Sequence, residues 1–116
     1  MSSSTASASV SCPSSVSAGR RTTIRSSHGY SVVNDSAADV IFNVEAVLSD
    51  DQGNRATNSA YNQLVGPNGY ESGDLPTVLN VSYVSSGVVN VTATTRISGP
   101  IPANGYGNCS FFVSPQ

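Results

Sequence analysis

The chain has 116 residues, enough for one domain that buries a core without help from a metal. Charged residues make up only 10% of it, against a usual ~25%, and the net charge is -2 with every basic residue an arginine. No basic stripe can neutralise a run of phosphates and no apolar run approaches the ~20 residues of a membrane helix, so neither nucleic-acid binding nor membrane insertion is expected.

Residues 1–9 are a low-complexity, Ser-rich leader with few apolar side chains, and Met1 followed by "SSSTASAS" reads as a start standing where a signal sequence has been removed. The expectation is a disordered leader over 1–9 and one β domain over 10–116. From Val10 onward apolar residues recur at every second position. In "VSC", Val10 and Cys12 share a face, and Pro13 confines the strand to an edge or a bend. The region Thr22 to Val33 is a second strand, which "SHG" divides at Gly29 with a bulge or a break.

Val40, Phe42, Val44, Ala46 and Leu48 point one way, with Asn43 and Glu45 on the opposite face. "DDQGN" follows as a turn, with Gly53 free to take positive φ. Thr57 to Val65 is a weaker strand with imperfect alternation. Thr77 to Val84 places Leu79, Val81 and Tyr83 on one face, and Val88 to Ile97 places Val89, Val91, Ala93 and Ile97 on one face, with "SSG" between them read as a hairpin. The last strand, Asn108 to Val113, sets Cys109, Phe111 and Val113 together.

Both cysteines, Cys12 and Cys109, fall on the apolar parity of an outer strand. In a small, weakly charged β chain such a pair reads as a disulfide joining the first strand to the last, the alternative being two separate buried thiols. A bridge closing so long a loop contributes about 4 to 5 kcal/mol in the chain-entropy model. It also points to an oxidising compartment, which means a secreted, cell-surface or periplasmic protein.

No stretch holds a period of 3.6, so the chain is all-β, with about seven antiparallel strands in a two-sheet sandwich. The run "YSVVNDSAADVIFNVEAVLSDDQGN" resembles the corresponding region of immunoglobulin-like domains of secreted and surface proteins. That resemblance implies a binding or structural module. Reversal at every connection gathers "SSG" and "DDQGN" at one end, and "NDSAA", "GPNGYESGD" and "GPIPANGYGN" at the other.

Two long segments of that second end repeat Asn-Gly-Tyr after a Gly-Pro: Asn68, Gly69, Tyr70 and Asn104, Gly105, Tyr106. Tyrosine offers a large amphipathic contact, and Asn and Gly offer adaptable hydrogen bonding, which is the composition of binding loops. Asn68, Tyr70, Glu71, Asn104 and Tyr106 are therefore the candidate partner-binding residues, for a protein or a glycan. The competing reading is turn chemistry, with each Tyr folded onto the sandwich edge.

Catalytic chemistry finds little to work with. His28 is the one histidine, and a solvated loop position accounts for it. No catalytic residue, cofactor or metal is expected; Asp50, Asp51 and Asn54 fail the spacing of a calcium loop. Asn34, Asn80, Asn90 and Asn108 each begin a glycosylation sequon, which a Ser/Thr-rich composition produces by chance. The absence of lysine removes a common protector of sheet edges, so self-association through an edge strand is a second expectation. A small periplasmic chaperone or a protease inhibitor is the alternative; chagasin-type inhibitors share the size and fold, and "NDSAA" stands where they carry Asn-Pro-Thr-Thr-Gly.

Overall fold

The computed structural model describes residues 4–10, 14–18, 21–83 and 86–113. The strands are β1 (Thr5–Val10), β2 (Ser14–Ala18), β3 (Arg21–Val33), β4 (Val40–Asp50), β5 (Arg55–Val65), β6 (Tyr70–Ser82), β7 (Gly87–Ser98) and β8 (Ala103–Val113). All pair antiparallel, in two sheets. In the first, β3 is central. It pairs with β6 along its whole length and, on its other edge, with β1 over His28 to Val33 and β2 over Arg21 to Arg25. A strand has only two edges, so β1 and β2 are successive stretches of one edge strand, and the eight segments occupy seven strand positions. The second sheet has the order β5-β4-β7-β8.

The all-β sandwich expected from the alternation is present, with three departures. Thr5–Val10 forms β1 within the leader read as disordered, because Ala6 and Ala8 pack against the core cluster around Phe42. The expected break at "SHG" is absent, since β3 runs unbroken past Gly29 opposite Asp74. The strands on either side of "SSG" form no hairpin with each other: β6 and β7 lie in different sheets, and Ser85 is outside the described residues. "DDQGN" does close the β4–β5 hairpin, and Gly53 has φ 89°, a conformation that favours glycine.

The sandwich is long and thin, 59 × 20 × 18 Å, with a radius of gyration of 16.9 Å against about 13 Å for an ordinary domain of this length. Its core is divided. Ile24, Leu48, Leu79, Val81, Tyr83, Val89, Val91, Ala93 and Val113 form one cluster near the "DDQGN" end. Val32, Phe42, Val44, Val65 and Ile97 form the other. Between them β3, β4, β6 and β7 each turn a polar or small residue inward: Ser26 and His28 from β3, Thr77 from β6, Ala46 from β4 and Thr95 from β7, all buried.

Buried polar groups cost free energy unless bonded, and these are bonded. The His28 ring lies with Nδ1 3.0 Å from the Thr94 carbonyl oxygen and Nε2 2.6 Å from Ser26 Oγ. A carbonyl can only accept, so Nδ1 carries the proton and Nε2 accepts from the serine hydroxyl. Thr95 Oγ1 donates in turn to the Ser9 carbonyl at 3.2 Å. Small residues at this level let the sheet edges close in. A Cβ on Gly105 would stand 2.8 Å from the Ala8 carbonyl oxygen, so β8 reaches β1 only because that position is glycine. On the opposite side Asn58 Nδ2 donates to the Pro76 carbonyl at 2.8 Å, joining β5 to β6.

Candidate functional site

The expected grouping of chain reversals holds: the turns after β3, β5 and β7 share one end. The loop placement of the tyrosines does not. Tyr70 and Glu71 are the first residues of β6, paired with Val33 and Val32, and Asn104 and Tyr106 lie within β8, paired with Arg96 and Thr94. Pairing extends β6 backward as far as Tyr70, just after its Asn-Gly step, and carries β8 back through Asn104-Gly105. Of the five candidates only Asn68 sits in a turn, with φ 57°.

Nor are the five brought together. Tyr70 faces out from the three-position sheet, whereas Asn104 and Tyr106 face out from the four-stranded sheet on the opposite side of the molecule; Glu71, next along β6, takes the inward parity. The end loops themselves are pinned. Asn34 is fully buried, its Nδ2 lying 2.7 Å from the Ala38 carbonyl oxygen and 3.0 Å from those of Val65 and Gly66. Its Oδ1 accepts from the Ser36 amide and hydroxyl, which removes this sequon from the surface.

A different assembly stands on the outer face of the four-stranded sheet. β5 carries one residue too many: Phe42 pairs with Gln63 and Val44 with Ala60, so Tyr61 and Asn62 together oppose Asn43. This bulge accounts for the imperfect alternation of the segment. Asn62 takes φ 57°, and its amide donates to Asn43 Oδ1 at 2.8 Å. The kink sets Tyr61, 59% exposed, over a cleft of about 220 Å³ lined by Asn43, Glu45, Tyr61, Arg96 and Ser98. Pairing continues the row: Glu45 is opposite Arg96, Arg96 is opposite Asn104, and Tyr106, 67% exposed, follows two positions along β8.

Among the described residues no side-chain hydrogen bond occupies Glu45, Arg96, Ser98 or Asn104, so their donors and acceptors face solvent. Glu45 and Arg96 bring opposite charges to the cleft, and Asn43, with its Oδ1 engaged, offers the two hydrogens of its Nδ2. The sequence placed Asn43 and Glu45 on the outward face but held no signal for the cleft, because the bulge appears only once β5 is registered against β4.

His28 is not a solvated loop residue but fully buried in β3, and burial lowers its pKa below the ordinary value, with the Thr94 carbonyl and Asp74 opposing. Its 2.6 Å contact with Ser26 has the spacing of a nucleophile and its base, yet both side chains are enclosed between the sheets. At the far end Asp50 accepts from the Gln52 and Asn54 amides, the Asn54 side chain and Tyr83 Oη. Burial raises the Asp50 pKa, but those bonds outweigh it and leave it lowered; Tyr83 is raised, by burial first and then by its bond to Asp50. Asp51 accepts from the Asn90 side chain, so these carboxylates cap a turn, and no cluster of potential metal ligands occurs among the described residues.

Cys12 lies outside the described residues; Cys109, on β8 opposite Val91, is not a free thiol.

No protein-family model and no curated protein sequence matches the chain. Solved structures similar to it include a stretch of a β-glucuronidase from glycoside hydrolase family 2, at 9% identity over 89% of this chain and 11% of that chain, with a TM-score of 0.50. A protein from Archaeoglobus fulgidus is similar at 12% identity over 93% of this chain and 98% of that chain, with a TM-score of 0.49. The structural genomics target SoR45 is similar at 9% identity over 96% and 86%, with a TM-score of 0.47. Such likenesses concern the fold alone: an all-β chain of antiparallel strands in two sheets.

Proposed function

We propose that the protein is a non-catalytic recognition module of immunoglobulin-like type, secreted, displayed at a cell surface or periplasmic, which engages its partner with the outer face of the four-stranded sheet. The strand orders β1/β2-β3-β6 and β5-β4-β7-β8 support the immunoglobulin-like assignment. A bridge between Cys12 and Cys109 belongs to the same proposal, and the mass of the intact protein before and after reduction and alkylation tests it.

The observation that carries the reading is the bulge-built cleft beside Tyr61, continued along the same face by Asn104, whose side chain bonds no other among the described residues, and by Tyr106, whose hydroxyl accepts from Asn108 Nδ2 at 3.4 Å. Rigid aromatic anchors next to unbonded polar groups on a firm sheet are what a recognition surface needs, since little order has to be imposed on binding. The enclosure of His28 and Ser26 favours binding over catalysis. The site thus moves from the loops to a sheet face, and of the residues singled out from the sequence it keeps Asn104 and Tyr106.

The test is adherence of labelled protein to the cell surfaces or extracellular matrix of its source. The wild type and Tyr70→Ala are expected to adhere alike, and the Tyr61→Ala/Tyr106→Ala double variant, with unchanged melting temperature, to lose adherence. Full adherence by the double variant would overturn the proposal.

A further inference from the structure

The chemistry of the cleft row narrows the partner. Tyr61 lies on β5 at the level of Asn43, and Tyr106 on β8 at the level of Thr94 and Val47. Three strand gaps of ~4.8 Å and four residues of ~3.4 Å place the two tyrosines roughly 20 Å apart on a diagonal. Along that diagonal run Asn43, Glu45, Arg96 and Asn104.

Large apolar side chains are kept off the diagonal: Ile41 pairs with Leu64 at one end of the sheet, and Val88 with Phe112 at the other. A protein partner would be expected to bury an apolar centre inside a polar rim. Here the centre is polar apart from the half-buried Val47, and the exposed apolar side chains lie toward the ends. The central charges are one acid and one base side by side, which disfavours a polyanion as much as a polycation.

What fits is a ligand with apolar ring faces and, at the ring edges, groups that both donate and accept. A pyranose has that character. Its axial C–H face lies against the electron-rich face of a tyrosine, and its hydroxyls meet the acceptor Glu45, the donor Arg96 and the amides of Asn43 and Asn104. The cleft, at about 220 Å³, is smaller than a drug-sized pocket and suits a single ring beside Tyr61. We propose that this face binds a neutral oligosaccharide laid diagonally across the four strands from Tyr61 to Tyr106. The inference rests on the reading of this face as the recognition surface.

Calorimetric titration of the full chain with neutral gluco-, manno-, xylo- and chito-oligosaccharides, two and six units long, tests it, with polygalacturonate and heparin as acidic probes. At least one neutral hexasaccharide should bind, its disaccharide at least tenfold more weakly, because only the longer chain reaches both tyrosines. Tyr61→Ala and Tyr106→Ala should each weaken the hexasaccharide about tenfold, while Tyr70→Ala leaves it unchanged. Equal affinity for both lengths overturns the diagonal track, and binding of the acidic probes alone overturns neutrality. If no neutral oligosaccharide binds while adherence still depends on Tyr61 and Tyr106, the partner is a protein: the oligosaccharide inference fails and the recognition face stands. If adherence ignores both tyrosines, the two readings fail together.

Discussion

The two outer faces of the sandwich are built from similar residues and behave differently. On the three-position sheet the polar side chains bond one another: Ser7 with Ser31 at 2.6 Å, Ser27 with Asp74 at 2.6 Å, and Thr23 with Asn80 at 2.9 Å. Each pair lies across adjacent strands, so the face is largely satisfied from within. On the four-stranded sheet such bonds lie beyond the cleft row, where Ser110 donates to Asn90, Asn90 to Asp51 and, within β8, Asn108 to the Tyr106 hydroxyl. The row from Asn43 to Asn104 faces solvent instead. Composition alone does not make a polar β face receptive. Register does, by deciding whether donors and acceptors meet each other or point away.

The strongest test strikes the layer beneath both faces. His28→Ala removes a buried ring and leaves Ser26 and Thr95 short of a partner, and should cost about 4 kcal/mol in urea unfolding. The wild type should also show a pH dependence that this variant lacks. The folded pKa of His28 is lowered from 6.5, so the unfolded chain binds the extra proton first. Stability contributed by the neutral ring is then complete above about pH 6.5 and declines as the pH falls through that value. Equal slopes for wild type and variant between pH 5 and 7 would contradict this.

Gly105→Val separates the faces more selectively. The added side chain meets the Ala8 carbonyl oxygen, pushing β8 from β1, and should cost about 3 kcal/mol. Partial rescue by Ala8→Gly is not expected, since the obstacle is backbone. Asn43→Ala sharpens the comparison at lower cost. It removes the bond that fixes Asn62 in the bulge and should lower stability by about 1 kcal/mol while abolishing adherence, because Tyr61 is no longer aimed. Least affected should be Thr23→Ala on the satisfied face, at about 0.5 kcal/mol or less with adherence intact; lost adherence there would dissolve the distinction between the faces.

Much of the architecture was legible because one-sided burial imposes a period of two. The parity of Val40 to Leu48, of Leu79 to Tyr83 and of Val89 to Ile97 is the parity of the core. The ends of β6 and β8 were not legible, since Gly-Pro and Asn-Gly steps signal turns locally, whereas β3 and β7 supply partners that keep the chain extended through Tyr70 and Asn104. "SSG" shows the same limit: a short Gly-containing link suits a hairpin or a crossing between sheets, and only the pairing of β3 with β6 chooses. His28 was misplaced because its burial depends on Thr94 and Thr95, far along the chain. Of the site, Asn104 and Tyr106 were visible as residue types. The cleft was not, because it arises from one surplus residue in a register that sequence alone leaves open.

The polar layer at His28 also bears on how the molecule comes apart. Each apolar cluster is continuous within its own half of the long axis, and only the strand backbones and one hydrogen-bonded girdle couple the halves. Opening one half leaves the other's apolar contacts in place, so the two should exchange amide hydrogens as separate cooperative units. The smaller cluster around Phe42 is the weaker unit, and the recognition cleft lies over that half. Occupation of the cleft would slow exchange there first, well ahead of the half that holds Leu48 and Tyr83.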